Sequence, residues 1–440
     1  MAIDKIIDRA ATISVSSTDV SDDANTSTGA LDLPAGTTAQ RPSSPTSGNI
    51  RYNTDIESTE IYDGTVWGKV SPLTPTITSI TGTIYAATST TLTLAGTNFL
   101  SANLVIGFTP SGGSETTVTV NPTSDTSATV AVPSAIYGES AGTVIAITAT
   151  NTDNRTSGAV NKTVLGLPTG GTIVSSGGYR YHTFVSSQDF VVPTNVTLNT
   201  EYIIIAGGGG GSGYGGGGGA GGYITNDGGT AVSISSGTYP VVIGAGGAGG
   251  VGGQGVQGSA SSWNSLTTVG GGSGATATGT GGSGGSGGGG GYDNAPGGSG
   301  TSGQGNNGGS GAKNDSNLTY VGGGGGGKGS AGTNASGNTG GNGGAGFQNS
   351  TWATATSTGE NGYYASGGGG GCAGYGSYGT QYPGTSSDGG GGTGSQSGNG
   401  SYDGQANTGG GGGGTGYHGT AGAQTGGVGG SGLVIIRYQL

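Results

Sequence analysis

The sequence predicts an all-β chain: a small N-terminal β unit, an immunoglobulin-like β-sandwich, then a β scaffold carrying a bundle of polyglycine II helices. Two observations lead there. Through the first half, apolar residues alternate with period two in short runs bounded by Gly, Pro and Asn, the mark of half-buried strands. In the second half, 94 of the 112 glycines crowd into residues 201–440, in runs such as 207–211, 215–219, 287–291, 322–327 and 411–414. Two apolar strand sequences, 202–206 and 433–438, bracket the whole tract. A flexible linker has no reason to close on a buried strand.

Composition narrows the function classes. The 440 residues leave room for two or three domains, and 30% apolar with 8% charged residues leaves little for an ordinary oil-drop core. Such low charge also argues against ordinary disorder. A net charge of −11 argues against nucleic acid as a partner, because phosphate binding needs a basic stripe. No window approaches the roughly 18 apolar residues of a membrane span, so no membrane insertion is expected. Residues 1–10 lack the apolar stretch of a signal peptide, and the expectation is synthesis in a host cytoplasm without export. Cys372 is the single cysteine, which excludes an internal disulfide. The sequon Asn154-Arg-Thr156 then has no meaning.

Residues 1–30 begin with Ile3, Ile6 and Ile7 and continue as a polar segment, read as an attachment arm that orders on docking. Residues 31–73 form a compact β unit. Ile50-Arg-Tyr52 and Glu60-Ile-Tyr62 are strand-like, Asp63-Gly64 is a hairpin signal, and Thr65-Val-Trp67 returns from it. A unit this small cannot bury Tyr52, Tyr62 and Trp67 alone. These three are the candidates for attachment or oligomer contacts, and a homotrimer is expected. The run Arg41-Pro42, Gly48-Asn-Ile-Arg-Tyr-Asn53 and Tyr62-Asp-Gly-Thr-Val-Trp67 resembles a module of phage virion fibres, familiar from marine and cyanobacterial phages. The resemblance covers about a tenth of the chain.

Residues 74–167 read as a sandwich of short alternating strands, among them Thr91-Leu-Thr-Leu94 and the stretches 117–120, 129–132 and 144–150. Pro75, Ile77, Ile80, Leu94-Ala-Gly-Thr-Asn-Phe99 and Val132-Pro133 make this segment similar to the IPT/TIG immunoglobulin-like family. The double glycine usual before that family's second strand is missing. Such domains serve as spacers or binding modules, and fold alone does not choose between them.

Residues 168–440 are the glycine-rich unit. The stretches 179–185, 189–192, 202–206, 239–243 and 433–438 read as its strands. Ordering glycine costs on the order of 1–2 kcal/mol per residue, with no side chain to offset it. Either the tract stays fluid, or backbones pack closely enough for hydrogen bonds and dispersion to compensate. Collagen requires strict Gly-X-Y and plentiful Pro, and here Pro296 and Pro383 stand alone. The remaining solid is a bundle of polyglycine II helices with three residues per turn. It requires the 201–206 and 433–438 strands to pair. Phe190-Val-Val-Pro193, Tyr202-Ile-Ile-Ile-Ala-Gly-Gly208 and Gly432-Leu-Val-Ile-Ile-Arg-Tyr438 resemble the glycine-rich domain family of phage fibres. They are also similar to the polyglycine sandwich of certain tail-tip adhesins and to an extracellular domain of some receptor kinases. The adhesin resemblance implies loops between glycine helices that meet a host surface.

Catalytic signals are weak, and no enzyme, cofactor or metal site is expected. The run 322–327 with Lys328 approaches a P-loop, but Gly329 stands where Ser or Thr must hold magnesium. His182, in an alternating strand, is expected to face solvent or a neighbour, and no spacing joins it to His418 or Cys372. The segments between glycine runs are richer. Trp263, Tyr292, Asn294, Tyr320, Trp352, Tyr363, Tyr364, Tyr375, Tyr378, Tyr382, Tyr402, Tyr417 and His418 put aromatic area beside polar groups, the chemistry of paratopes and sugar sites. The alternative is that these rings cap the bundle and keep water off it. The reading that results is a virion fibre protein. Its N-terminus joins other virion proteins, and its tip contacts a host glycan or outer-membrane protein. The alternative is a head or tail decoration fibre without a receptor.

Overall fold

The computed structural model describes residues 33–70, 74–99, 103–152, 154–315, 319–374, 381–396, 400–416 and 424–439. The arm expected at 1–30 lies outside them, as do Tyr375, Tyr378, Tyr417 and His418. The fold is all-β. Its helices among the described residues are the short turns Thr38–Gln40, Ser134–Tyr137 and Ser350–Thr356.

Residues 33–70 form a four-stranded sheet in which Ile50–Asn53 and Ser58–Tyr62 pair antiparallel. Trp67–Lys69 follows the Asp63-Gly64 turn. Asp63 Oδ1 accepts the N–H groups of Thr65 and Val66, and Gly64 sits at φ +107°, which is why Asp-Gly suits the turn. The Val66 and Thr65 N–H groups, with the Thr65 hydroxyl, hold the Asp63 carboxyl below its ordinary range.

The second unit is a two-sheet sandwich. Thr76–Thr81, Thr91–Thr97 and Ser127–Ala131 make one sheet; Ile84–Tyr85, Leu104–Pro110, Thr116–Val120, Val144–Thr150 and Val160–Leu165 make the other. Their inward residues, including Ile80, Leu92, Leu94, Phe99, Ile106, Phe108, Ile145 and Ile147, form one core. Gly96 allows this packing: a Cβ there would lie 1.9 Å from the Thr76 carbonyl oxygen.

The third unit rests on an eight-stranded sheet. The segments read separately at 189–192 and 202–206 are one strand, Gln188–Ile205, whose pairing slips between Val192 and Thr197. The closing strand Leu433–Gln439 inserts between it and Tyr179–Phe184, pairing Ile205 with Leu433 and Glu201 with Arg437. Both faces of its central strands are covered. Ile204, Val434 and Ile436 meet Phe190 and Trp263 on one side; Ile203, Ile205, Leu433 and Ile435 meet Trp352 and Tyr364 on the other.

That double burial decides between solvent and a neighbour for His182, in favour of the neighbour. Its ring is buried, edge-on to Phe190 and stacked on Tyr438, with Nδ1 2.7 Å from the Gly170 carbonyl. Burial pushes its pKa down from 6.5 to about 4. The unfolded chain therefore binds the extra proton first. Stability from the neutral ring is complete above about pH 6.5 and is lost as pH falls toward 4, by on the order of 3 kcal/mol. Thermal melts between pH 7 and pH 4 should show this loss, and His182→Phe should flatten it.

The glycine tract is a hydrogen-bonded slab. The rod 207–213 shows its order. Gly207, Gly210 and Gly213 donate to the carbonyls of Ser259, Val256 and Gly253. Gly208 and Gly211 donate to Gly430 and Gly427, while Gly209 and Ser212 donate to Gly219 and Gly216. The same rod accepts from Gly271 and Gly274, from Gly247 and Gly250, and from Gly412 and Thr415. Every third residue thus faces the same neighbour, the three-per-turn repeat of polyglycine II. Descending partner numbers mark antiparallel neighbours, and ascending numbers mark parallel ones. Rods 216–222, 286–291, 322–327, 366–371 and 409–415 are bonded in the same way on all sides. Side chains are excluded because Cβ atoms at Gly209, Gly210 and Gly211 would lie 2.0–2.1 Å from neighbouring carbonyl oxygens.

Candidate functional site: the far end of the glycine slab

The rods divide the inter-glycine segments between two ends. Rod 207–213 leaves the sheet at Ile205, and rod 216–222 returns to it, since Tyr223 pairs with Ile205. The turn at Tyr214 therefore marks the far end. Gly215 bridges Thr276, donates to the Thr415 carbonyl and accepts from Gly371. A Cβ on it would lie 3.3 Å from Gly291 Cα and 3.6 Å from Tyr292 N. Gly322 packs against Gly215 as well. These contacts bring the Tyr292 turn, the hairpin of Ala312–Asn314 with Thr319–Val321, and the strand Cys372–Gly374 to one end.

Here Tyr292 and Tyr320 meet edge to face, with centroids 5.0 Å apart. Lys313 Nζ sits 6.0 Å from the Tyr320 centroid, 2.9 Å from Asp315 and 3.8 Å from Asp293. Asp315 first, then Asp293, raises the Lys313 pKa above its ordinary value. Asn294 is exposed in the left-handed region at φ +52°, and its Oδ1 accepts the Lys313 backbone N–H at 3.3 Å. Tyr382 bridges Thr339 beside this end and is 56% exposed. Tyr402 lies on the flank, where its carbonyl accepts from Gly413, and the residue is 65% exposed. The constellation offers aromatic faces, an amide and both charge signs on a fixed frame.

Four expected contact residues do not belong to it. Trp263 is fully buried in the scaffold core, against Phe190 and Tyr202. Trp352 and Tyr364 are fully buried at the sheet end of the slab, and Tyr363 is half-buried beside them. The segment expected to be a loop holds the helix Ser350–Thr356, capped by Asn349 Oδ1 on the Trp352 N–H. Its Trp352 packs edge-on to Tyr181. These rings close the slab against the sheet, the capping role weighed as the alternative. Lys313 and Asp315 were missed. Lys313 carried a signal, a cation set among Asn and Asp in a lysine-poor tract.

The other reactive side chains are engaged elsewhere. Lys328 Nζ donates to the Gly303 carbonyl at 2.6 Å. Cys372 is buried, and burial pushes its thiol up to about 12. Thiol reagents should leave the native chain unmodified and label it only after denaturation; labelling of the folded chain at the denatured rate would contradict the packing described. Among the described residues, no cluster of His, Cys, Asp and Glu has metal-holding geometry, and no helix is long and apolar enough to cross a membrane.

The pattern of a family described as glycine-rich domain matches residues 183–439. No curated protein matches the chain. Among solved structures, the FN1–FN3 domains of chicken CNTN1 align at 10% identity over 40% of this chain, with a TM-score of 0.18. The chain spans about 60% of the length of that structure.

Proposed function

The chain belongs to the glycine-rich domain family, and from that premise we propose that it is a phage virion fibre protein whose slab end is the adhesive tip. The N-terminal unit, with its resemblance to a fibre module, joins the particle. The sandwich, of IPT/TIG type in this reading, is the spacer. The far-end loops contact a glycan or outer-membrane protein of the host. One observation carries the reading: rings at the sheet end are buried, whereas Tyr382 and Tyr402 stay exposed and Tyr292, Asn294, Lys313 and Tyr320 are gathered at the far end. Tyrosine faces suit the apolar side of a pyranose, and the amide and carboxylates suit its hydroxyls. Several copies on one particle would raise avidity without any new contact.

The test is saturable binding of the full chain to glycan arrays and to bacterial surfaces. Wild-type protein is expected to bind, and Tyr292→Ser with Tyr320→Ser to bind at least about tenfold more weakly, the loss expected on removing aromatic anchors. Cys372 protection should remain native in that variant. A wild-type chain that binds no surface at saturation would favour the decoration-fibre reading.

A further inference from the structure

The N-terminal sheet turns its apolar residues outward. Along Ile50–Asn53, Arg51 and Asn53 are buried while Ile50 and Tyr52 are exposed. Pairing carries the exposed face across all four strands. Tyr52 lies opposite Ala35 and Thr59, Ile50 opposite Ile61, and Ile61 opposite Gly68, while Val70 donates to the Thr59 carbonyl. Ile50, Tyr52, Ile61 and Val70 are 38–46% exposed. Gly68 leaves a slot beside Ile61, since the nearest atom to a Cβ there is the Ile61 carbonyl oxygen at 4.0 Å. The opposite face holds buried Glu60, bonded to Arg41 at 2.6 Å and to Asn53 at 3.0 Å, with Arg51 at 3.5 Å. Tyr62 and Trp67 pack on each other at 5.6 Å on that polar side, so of the three aromatics expected at an interface only Tyr52 shares the apolar face. No residue of 33–70 belongs to any hydrophobic cluster of the described residues.

We infer that residues 3–10 of the same chain cover this face as an amphipathic helix. Ile3, Ile6, Ile7 and Ala10 recur at i, i+3, i+4 and i+7, which is one stripe of a helix. Asp4, Lys5, Asp8 and Arg9 fill the other side and are left to face water. So short a helix does not hold in water alone; its stability comes from packing the apolar stripe on a surface. A small sheet without a core needs a layer over it in turn. Each supplies what the other lacks. The tether brings them together. The Pro34 carbonyl accepts the Tyr52 N–H at 2.9 Å, so the preceding chain leaves the sheet at its edge, beside the apolar face. As a flexible chain, residues 11–32 span on the order of 25 Å, and four strands are only about 15 Å across. That places the stripe at an effective concentration in the millimolar range, which an unlinked partner does not reach. Charge offers no opposition despite the chain's net −11: the face is uncharged, and Asp4, Lys5, Asp8 and Arg9 balance one another.

Limited trypsin digestion of the full chain, followed by intact mass, tests this because Lys5 and Arg9 lie inside the covering segment. Cleavage at those two residues is expected to be at least about tenfold faster in Ile50→Asp with Ile61→Asp than in the wild type, with Cys372 still protected. Ile3→Ser with Ile7→Ser, which leaves the sheet untouched, should give the same acceleration. The two pairs combined should give no more than either alone. Val256→Asp, at an exposed apolar position in the slab, should change nothing. The wild-type rate should be the same at every protein concentration. Wild-type cleavage as fast as in the variants would overturn the inference. Protection kept in the Ile50→Asp, Ile61→Asp variant would overturn it as well, by placing the stripe elsewhere. So would protection that falls on dilution, which would give the face to a second copy. The adhesion reading is independent: a protected chain that binds no surface leaves this inference standing, and an unprotected chain that binds leaves adhesion standing.

Discussion

Gly218→Ala is expected to abolish folding of the glycine-rich domain, while Gly253→Ala should leave its stability within about 1 kcal/mol. Both sites lie in glycine-rich stretches, but their surroundings in space are opposite. A Cβ at Gly218 would sit 2.0 Å from the Gly209 carbonyl oxygen. The clash is with backbone, so no rotamer relieves it. The neighbouring rod cannot retreat, because Gly209 donates to Gly219 and accepts from Gly412, and Gly218 itself donates to Gly412. Moving one rod breaks bonds to several others. The cost exceeds the roughly 4–5 kcal/mol that marks exceptional substitutions, in a chain whose total margin is of that order. At Gly253 the nearest atom is 3.7 Å away. Soluble yield, Cys372 protection and thermal unfolding of the two variants check the contrast. Comparable behaviour of both would mean that the glycines are not in contact.

Arg437→Met is expected to lower stability by about 3 kcal/mol, with Arg437→Lys recovering little of it. Arg437 stands in the closing strand. Its guanidinium bonds Glu201 at 2.6 Å, Asp227 at 3.0 Å and the Tyr181 hydroxyl at 3.2 Å. It is also held between the rings of Tyr179 and Trp352, each 4.3 Å from Cζ. Asp227 in turn accepts from Asn349, the cap of the Ser350–Thr356 helix, at 2.9 Å. One side chain therefore joins the last strand, the strand beside it and the helix that covers them. Methionine fills the slot but leaves Glu201 and Asp227 without their cation. Asp227 is part-exposed, so its share is partly screened by water. Lysine keeps the charge and loses the planar fork and the stacking. For a domain of this size the loss is a drop on the order of 10 °C in Tm. A double-mutant cycle with Glu201→Gln should show coupling, and additive effects would contradict the clamp.

The bracket was legible in the chain because strand chemistry is written in side chains: Ile203, Ile204 and Ile205 ask for Leu433, Val434 and Ile435 as partners. The rods were legible from the same logic inverted, since long glycine runs satisfy a backbone solid and little else. The fate of the loops was not legible. Successive loops fall at alternate ends of the slab only if every reversal is visible, and the chain also reverses near 284–286 within Gly-Gly-Ser, where Gly285 bonds Gly270 and Ser286 bonds Ala220. Trp263, Trp352 and Tyr364 therefore read like Tyr292 and Tyr320 in sequence while lying at the opposite end. The side of His182 was left open for a related reason. Alternation reports an outward face only when one face is wet, and here both are covered. The helix Ser350–Thr356 is too short for a periodic signal, and its Asn349 cap was the available clue.

Amide hydrogen exchange along residues 207–432 of the native chain is the most direct measurement. Glycine amides of rods 207–213, 216–222, 322–327 and 409–415 are bonded to neighbouring rods on all sides, so they should exchange only with global unfolding, as slowly as the strand amides of Ile203 and Ile435. Exchange of those glycines at the rate of an unstructured chain, while the flanking strands stay protected, would contradict the slab and everything placed at its far end.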